Sequence, residues 1–531
     1  MTSRVVGVGP LLRASLRQEA RSFAPWILIV TVLSTSSIIV YPWVFPTEES
    51  RQQLAATIGA NPALAIIFGP ANDLSTADGF NTWRCLALGG FLTALMAIFV
   101  VTKASRGQED SGQAELLASG VMSRATRLSV AVLMAAIASL VLGVVCAVAT
   151  GLCGGDWQAA WLLSATFTAS GWMFAALTAV AAQLGSDART TSTLAVATLG
   201  TLFVARGYFD SIEAPSWTNW LTPQGWMEYT QPGIDNIWWP LLLAIAFTAV
   251  VLVVAFTLQA RRDFGQGAIS PRPGPAVGRV RSSSALAWRI NRSPLISWTI
   301  AFLLLGAIFG TLATSVPDLL AGDATISGLL ASGAITPDDI VGEFLVTMLS
   351  MIGIIASVGG VQTMLKVRSE EMDDRVEPLL AGAVARTRYY SAHIVVALVG
   401  PTIGLLVAGL MVALVASSSD LGVSFGDVWL QAASIVPAAW TVVALAVLVV
   451  GARPQVEIAA WAGVLASFGL TLLGPTFGLD DWVLGISPFW HVPHLIAGPT
   501  DWTGLGWITL FTIGFIAIGT LGFRRRDLAR V

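Results

Sequence analysis

The chain is poor in charged residues and in cysteine. Only 11% of its 531 residues are Asp, Glu, Lys or Arg, whereas 55% are hydrophobic and the mean hydropathy is +0.74. A soluble domain does not need that much apolar surface, so the composition predicts a polytopic membrane protein in the cell membrane. The three cysteines are too few for a disulfide framework. A pairing of Cys146 with Cys153 near the outer end of a span stays open, although isolated thiols, like Cys85, are favoured.

Lysine is scarcer still, because only Lys103 and Lys366 occur. A P-loop needs Gly-Lys-Ser or Gly-Lys-Thr to cradle phosphates, and neither lysine lies in such a sequence. The chain therefore has no Walker A motif, and we expect no ATPase site and no other catalytic site of its own. His491 and His494 flank a proline in an outer loop but lack a third ligand nearby, so no metal site is expected.

What the sequence has in abundance is long apolar runs. A spanning helix needs roughly 20 apolar residues, and such runs predict an all-α protein with twelve transmembrane helices. A helix lying in the membrane interface is expected before them, over residues 9–23. The predicted spans are 24–43, 85–102, 128–152, 159–184, 190–205, 240–258, 295–315, 342–365, 391–416, 428–451, 456–474 and 504–523.

The twelve spans divide into two parallel repeats of six. Residues 265–284 are rich in Gly, Pro, Ser and Arg and show no periodicity, which is typical of a flexible cytoplasmic linker. The first half is therefore 1–264 and the second 285–531, and Arg261-Arg262-Asp263 at the end of the first recurs as Arg525-Arg526-Asp527. Basic residues concentrate in inside segments, so both termini are predicted to be cytoplasmic. Of 29 Lys and Arg residues, the outside segments hold only Arg51, Arg84 and Arg206.

One polar stretch is present in both halves. Residues 106–124 read RGQEDSGQAELLASGVMSR, and residues 368–386 read RSEEMDDRVEPLLAGAVAR. Each predicts an acidic turn and a short amphipathic helix, with an apolar stripe at Val376, Leu379, Leu380, Ala383 and Val384 in the second copy. The bland interpretation is a solvated loop resting on lipid, but the duplication favours a function. The six identities at an offset of 262 are Arg106 with Arg368, Glu109 with Glu371, Glu115 with Glu377, Leu117 with Leu379, Gly120 with Gly382, and Arg124 with Arg386.

These features resemble the ABC type-2 export permeases. That family carries an acidic R-x-x-E-x-x-G-x-x-E-x-L-L-x-x-P-x-x-R pattern between its second and third spans. The first copy keeps most of this pattern, including Gly112, but has no proline, and the second copy has Asp373 and Asp374 near the place of the glycine. The fused double form is similar to actinobacterial antibiotic and multidrug exporters of the tetronasin-resistance type. The likeness extends along nearly the whole chain.

The resemblance implies the permease subunit of an ATP-driven exporter of hydrophobic or amphiphilic compounds such as antibiotics. Two copies of a separate ATPase subunit would bind ATP and Mg, and this chain would hold no cofactor and bind no nucleic acid. The segments Glu115–Arg124 and Glu377–Arg386 would be coupling helices seated in the ATPase subunits. By analogy, spans 1, 2 and 5 with 7, 8 and 11 would line the substrate path. The candidate lining residues, any one of which could equally face lipid or pack between helices, are Phe91, Met96, Phe203, Met348, Met351 and Phe468.

Two other classes of protein stay open. An ion-coupled secondary efflux carrier also commonly has twelve spans in two halves. Such carriers hold ionisable residues at mid-membrane, and no Asp, Glu, Lys or Arg lies near the centre of any predicted span. Glu343 and Arg84 lie only at the outer mouths of their spans. A membrane scaffold or sensor that recruits a partner through the same two loops is the third possibility. The sequence does not name the substrate.

Overall fold

In the computed structural model, every regular element of the described residues is a helix, and turns and irregular loops connect these helices. The described residues are 7–58, 62–112, 124–212, 214–261, 267–269, 278, 280–314, 337–419, 421–456, 458–473, 480–496 and 501–527.

Twelve main helices follow one another along these residues. Those of the first half are α1 (Val8–Val44), α2 (Ala77–Thr102), α3 (Arg124–Leu152), α4 (Trp157–Leu184), α5 (Ala188–Ser211) and α6 (Pro240–Arg261). Those of the second half are α7 (Ser283–Thr314), α8 (Pro337–Met372), α9 (Arg386–Ser417), α10 (Phe425–Ala452), α11 (Ile458–Phe468) and α12 (Thr503–Arg525).

Ten of these helices are long and apolar enough to cross a membrane. The two that fall short coincide with the predicted spans 190–205 and 456–474. The helix α5 has 24 residues but is less apolar than the others, and α11 has only 11 residues before a π-helical turn at Gly469–Leu473. The ten spanning helices confirm an all-helical membrane protein, while the count of twelve rests on α5 and α11.

Two predicted elements merge into one helix at the start of the chain. The sequence predicts an interfacial helix over 9–23 and a separate span over 24–43, but α1 runs unbroken through 37 residues. Pro25 lies inside it without ending it, as does Pro294 inside α7. In each half, therefore, the first helix contains both the arginines and the apolar run that is predicted to cross the membrane.

The chain forms two compact units, Met1–Gly274 and Pro275–Val531. In the first, α4 is the central helix and packs against α2, α3 and α6. In the second, α10 has the corresponding place against α8, α9 and α12. Small residues permit this close packing: a side chain at Gly171 of α4 would collide with Ser139, and one at Gly360 of α8 would collide with Val443. The helix ends that meet around α4 and α10 position the candidate site.

Candidate functional site

The loop after α2 begins with a π-helical turn, Lys103–Gly107, followed by a short helix, Gln108–Asp110. Arg106 follows Lys103 by three positions, whereas Arg368 follows Lys366 by two, and α8 continues regularly to Met372. A π-helical turn accommodates one extra residue in a helix and is frequent at functional sites. The turn therefore accommodates the one extra residue that separates Lys103 from Arg106 in the first half.

Arg106 closes the end of α4. Its side chain is 1% exposed, and Nε donates to the Ala182 carbonyl at 2.6 Å while Nη2 donates to the Gly185 carbonyl. Nη1 pairs with the Glu109 carboxylate at 2.7 Å. The last carbonyls of a helix have no partner within the helix, and a cation there is favoured by the helix dipole. Arg106 supplies both the donors and the charge.

Further contacts bind the same turn between α4 and α5. The Gln183 and Leu184 carbonyls accept from the Ala268 and Ile269 amides at 3.1 and 2.9 Å, so part of the predicted flexible linker lies against α4. On the other side of the turn, the Asp110 carboxylate accepts from the Ala188 amide at 2.8 Å, at the first residue of α5. The loop after α2 is thereby fixed to both α4 and α5.

In the second half the corresponding role falls to Arg526, next to the end of α12. Its Nη2 pairs with the buried carboxylate of Glu371 at 2.6 Å, and its Nε donates to the Gly451 carbonyl at 3.0 Å. Its carbonyl accepts from Arg386 Nη1 at 2.6 Å. Arg368 approaches the same carboxylate at 3.8 Å. Four helices, α8, α9, α10 and α12, thus meet at Arg526, the first and third through its guanidinium and α9 through its backbone carbonyl.

Sequence reasoning missed Arg526 as a member of this site. It used Arg525-Arg526-Asp527 only as a mark of repetition and topology. The signal was present, because an arginine that recurs at the same end of each half is a candidate for a structural contact. What the sequence alone could not show is the partner, which lies 155 positions away in Glu371.

The second copy of the loop separates into an inner and an outer face. Val376 is buried, and Leu379, Leu380 and Val384 pack on the core of the second unit. The predicted stripe is thus confirmed except for Ala383, which is exposed.

The helix of this loop is shorter than predicted. It spans Glu377–Leu380 rather than Glu377–Arg386, and Arg386 instead begins α9. Glycine is a poor helix residue, and Gly382 stands directly after the break at Ala381. Glu377, Ala381 and Gly382 all face outward as exposed residues.

The loop residues therefore have two different surroundings. Arg106, Glu109, Arg368, Glu371 and Arg386 make internal contacts that anchor the loops. In the first copy, Glu115, Leu117 and Gly120 lie outside the described residues. Arg124 is the first residue of α3.

The substrate-path candidates are only partly brought together. The rings of Phe91 and Phe203 meet edge to face with centroids 4.9 Å apart, in the first unit. Met96 is fully buried beside a cavity described below. Met348 and Met351 lie half-buried on α8, and Phe468 is exposed at the end of α11.

A buried charge cluster lies at the end of α5 farthest from the loop. The Arg206 side chain is 1% exposed and pairs with Glu228 at 3.0 Å and Asp210 at 3.2 Å. Its other amino group donates to the Ile66 carbonyl at 3.1 Å, and Asn219 donates to Glu228. Burial raises the pKa of Glu228 well above its ordinary value, against the opposing effect of Arg206. The sequence predicted only that Arg206 lies in an outside segment, and it did not predict this cluster.

The other polar candidates find ordinary partners. His494 Nδ1 lies 3.1 Å from the Glu343 carboxylate, and His491 Nε2 lies 2.8 Å from the Gly485 carbonyl. Among the described residues, no group of three or more His, Cys, Asp or Glu residues could hold a metal ion. Cys146 is buried and Cys153 exposed, and both are free thiols.

Comparison with known proteins fits this architecture. The family model described as "Multidrug efflux system permease Rv1217c, C-terminal domain" matches residues 49–258 and 280–524. The multidrug efflux system permease protein Rv1217c of Mycobacterium tuberculosis is 34% identical over 543 residues, covering 99% of this chain and 96% of the relative. The chain therefore belongs to the family of multidrug efflux system permeases. It is a multi-pass membrane protein with the character of a transport permease.

Proposed function

We propose that this chain is the complete transmembrane part of an ATP-driven exporter of the ABC type-2 class, in its fused double form. Twelve helices in two repeats, with both termini cytoplasmic, would carry hydrophobic or amphiphilic compounds such as antibiotics out of the cell. Two copies of a separate ATPase subunit would bind ATP and Mg. The observation that carries the proposal is the paired loop after α2 and α8, anchored in each half to the end of a central helix.

The anchoring contacts connect each loop to helices of its own half. Arg106 and Asp110 tie the first loop to α4 and α5. Glu371, through Arg526, ties the second loop to α10 and α12. A displacement of either loop would therefore move whole helices, because charge-assisted hydrogen bonds with several partners hold their geometry. Coupling further requires that the ATPase bind the two states of the permease with different affinity.

The outward face of the second loop is the proposed docking surface. Glu377, Pro378, Ala381 and Gly382 are exposed there, while the apolar stripe behind them is packed on the unit's core. A short helix held from behind and presenting small residues and one carboxylate suits insertion into a groove. Glu115 is the corresponding residue predicted for the first loop.

The experiment reverses the charge at the docking surface. Glu377→Lys should leave expression and membrane insertion normal but lower the ATPase activity that copurifies with the tagged chain. Loss of one hydrogen-bonded charge contact at an interface costs about 2–5 kcal/mol, so association should weaken at least about tenfold. Adding Glu115→Lys should weaken it further, because each half would seat its own ATPase subunit.

Asp373→Lys is the matched control. Asp373 is an exposed carboxylate in the same loop, four positions earlier, and pairs only loosely with Arg375 at 3.5 Å. It should retain the copurifying ATPase activity. Equal retention of that activity in Glu377→Lys and in the double variant would remove the coupling assignment and return the loops to a role in packing.

A second candidate function, an ion-coupled efflux carrier, is favoured by one observation. The buried carboxylates of Asp210 and Glu228 share the guanidinium of Arg206, and such a cluster could hold a proton. It lies at the end of α5, however, rather than at mid-helix, where a carried ion needs its ligands. The energy source separates the two functions experimentally.

A further inference from the structure

A cavity of about 470 Å³ lies between α1, α2 and α3 of the first unit, directly beside the π-helical turn. One part of its wall is apolar, with Phe23, Trp26 and Phe99. The rings of Trp26 and Phe99 approach each other with centroids 6.1 Å apart. Glu19 and Lys103 belong to the polar part of the wall. The cavity therefore matches an amphipathic ligand that has an apolar body and one polar end.

The polar part is occupied by an ion pair that opens easily. Lys103 Nζ lies 2.7 Å from the Glu19 carboxylate, and the Lys103 side chain is 67% exposed whereas that of Glu19 is 21% exposed. Exposed pairs of this kind contribute at most about 1 kcal/mol. Lysine can swing into water at little cost, while the carboxylate stays in the cavity wall. Lys103 thus marks the position that a ligand's positive charge would take.

We propose that this cavity binds an amphiphilic organic cation, with Glu19 as its counter-ion. A carboxylate beside aromatic rings is the usual chemistry for a desolvated organic cation, because ring faces attract positive charge. An anionic head group would instead be placed against Glu19 and repelled by it. The ligand's positive group replaces Lys103 Nζ, and its apolar body lies along Phe23, Trp26 and Phe99.

The second half provides an internal comparison. A smaller cavity of about 130 Å³ lies between α7, α8 and α9, and Lys366 lines it. Lys366 Nζ donates to the backbone carbonyl of Ile290 at 3.2 Å. When Arg21-Ser22 is aligned with Arg292-Ser293, Ile290 takes the place of Glu19. No carboxylate occurs among the described residues that line this cavity, so the cation site is expected in the first half alone.

The cavity also touches the loop proposed to couple to the ATPase. Gln108 and Ser111 belong to its wall, and both follow the π-helical turn that carries Arg106. A ligand in the cavity would therefore contact residues that lie within one helical turn of Arg106, which in turn contacts α4. As an entry site for exported compounds the cavity rests on the proposed function, but as a binding site it needs neither ATP nor a partner.

The test measures binding to the purified full chain in phosphatidylcholine nanodiscs, without nucleotide or ATPase. The probes are ethidium, which is a permanent cation, and Nile red, which is neutral. Glu19→Gln should weaken ethidium binding about tenfold or more, and Lys103→Met should strengthen it several-fold by removing the competing charge. The double variant should resemble Glu19→Gln. Lys366→Met should leave the affinity unchanged.

The opposite signs make the result decisive. If the ion pair only held α1 against α2, both single variants would shift ethidium affinity in the same direction and would shift Nile red equally. That outcome, or unchanged ethidium binding in Glu19→Gln, would overturn the site. Because the assay contains no ATPase, its failure would leave the export proposal standing, and a failure of ATPase coupling would leave the binding result standing.

Discussion

Two guanidinium groups, those of Arg106 and Arg526, close the ends of the two central helices from different positions in the chain. Both reach carbonyls at the end of a helix and both pair with a glutamate of the loop motif, Glu109 or Glu371. A guanidinium offers five donors in a planar fork and stays charged, so it serves a carboxylate and several carbonyls at once. Lysine would not replace it.

Arg526→Met should destabilise the second unit strongly. The Glu371 side chain is fully buried, and removal of its nearest partner leaves a poorly compensated carboxylate inside the protein. Breaking a buried pair in this way costs about 3–5 kcal/mol, which should appear as a marked loss of thermal stability of the purified chain. Arg525→Met, at the exposed neighbouring residue, should change stability little.

A double variant distinguishes the buried charge from lost packing. Glu371→Gln added to Arg526→Met removes the stranded carboxylate and should recover part of the stability. Additive losses in the double variant would show that Arg526 stabilises the protein through its carbonyl contacts alone.

The cluster around Arg206 predicts a dependence of stability on pH. Burial raises the pKa of Glu228 in the folded chain. A raised pKa means that the folded state favours the protonated form of Glu228. The contribution of Glu228 to stability is therefore complete below its pKa in the unfolded chain, and it is lost as pH rises through its pKa in the folded chain. Glu228→Gln mimics the protonated carboxyl. The wild-type chain should therefore lose thermal stability relative to Glu228→Gln between about pH 5 and pH 8.

The comparison is of melting temperatures across that range in one detergent. A constant difference between the two proteins would mean that Glu228 stays ionised with Arg206 throughout. A wild type that gains on the variant with rising pH would contradict the assigned direction of the pKa shift.

At the scale of elements, alanine substitutions at two glycines of α12 should change thermal stability in opposite directions. A Cβ at Gly519 would lie 2.5 Å from the Val447 carbonyl of α10, whereas a Cβ at Gly514 of the same helix meets nothing within 4 Å. Alanine in a helix is favoured over glycine by about 0.5–1 kcal/mol. Gly514→Ala should therefore stabilise slightly, while Gly519→Ala should force α12 from α10 and destabilise.

Thermal unfolding of both variants checks this directly. Gly519→Ala should also weaken the contact between Arg526 and Gly451, because the same helix carries the arginine toward α10. Equal effects of the two substitutions would mean that α10 and α12 do not approach closely at Gly519.

Periodicity and hydropathy predicted the positions of the helices well. For two helices, however, they predicted a membrane span where the structure has a less apolar helix, α5, and a shorter one, α11. The span over 190–205 is part of a longer helix, α5, whose low apolarity follows from residues such as Arg206 that find buried partners. The span over 456–474 becomes the short α11 and a π-helical turn. An apolar run indicates a helix near a membrane, but not where its hydrogen bonding changes, because that depends on packing against other helices.

At the scale of the whole molecule, the motif of the loops was predictable and its partners were not. The offset of 262 identified Glu109 and Glu371 from the sequence alone. The contact between Glu371 and Arg526 joins residues far apart in the chain, and the contact between Arg106 and Ala182 depends on the placement of α4. Local patterns determine which residues form helices, whereas only the folded chain decides which helix ends meet.

The energy source of export tests the central claim most directly. In inside-out membrane vesicles that hold the chain together with the proposed ATPase subunit, addition of ATP should drive accumulation of a radiolabelled drug even when an ionophore has collapsed the proton gradient. The chain has no mid-span carboxylate in its sequence to carry a proton. A pH step without nucleotide should therefore produce no accumulation. Accumulation driven by the pH step, with none driven by ATP, would contradict the account and identify an ion-coupled carrier.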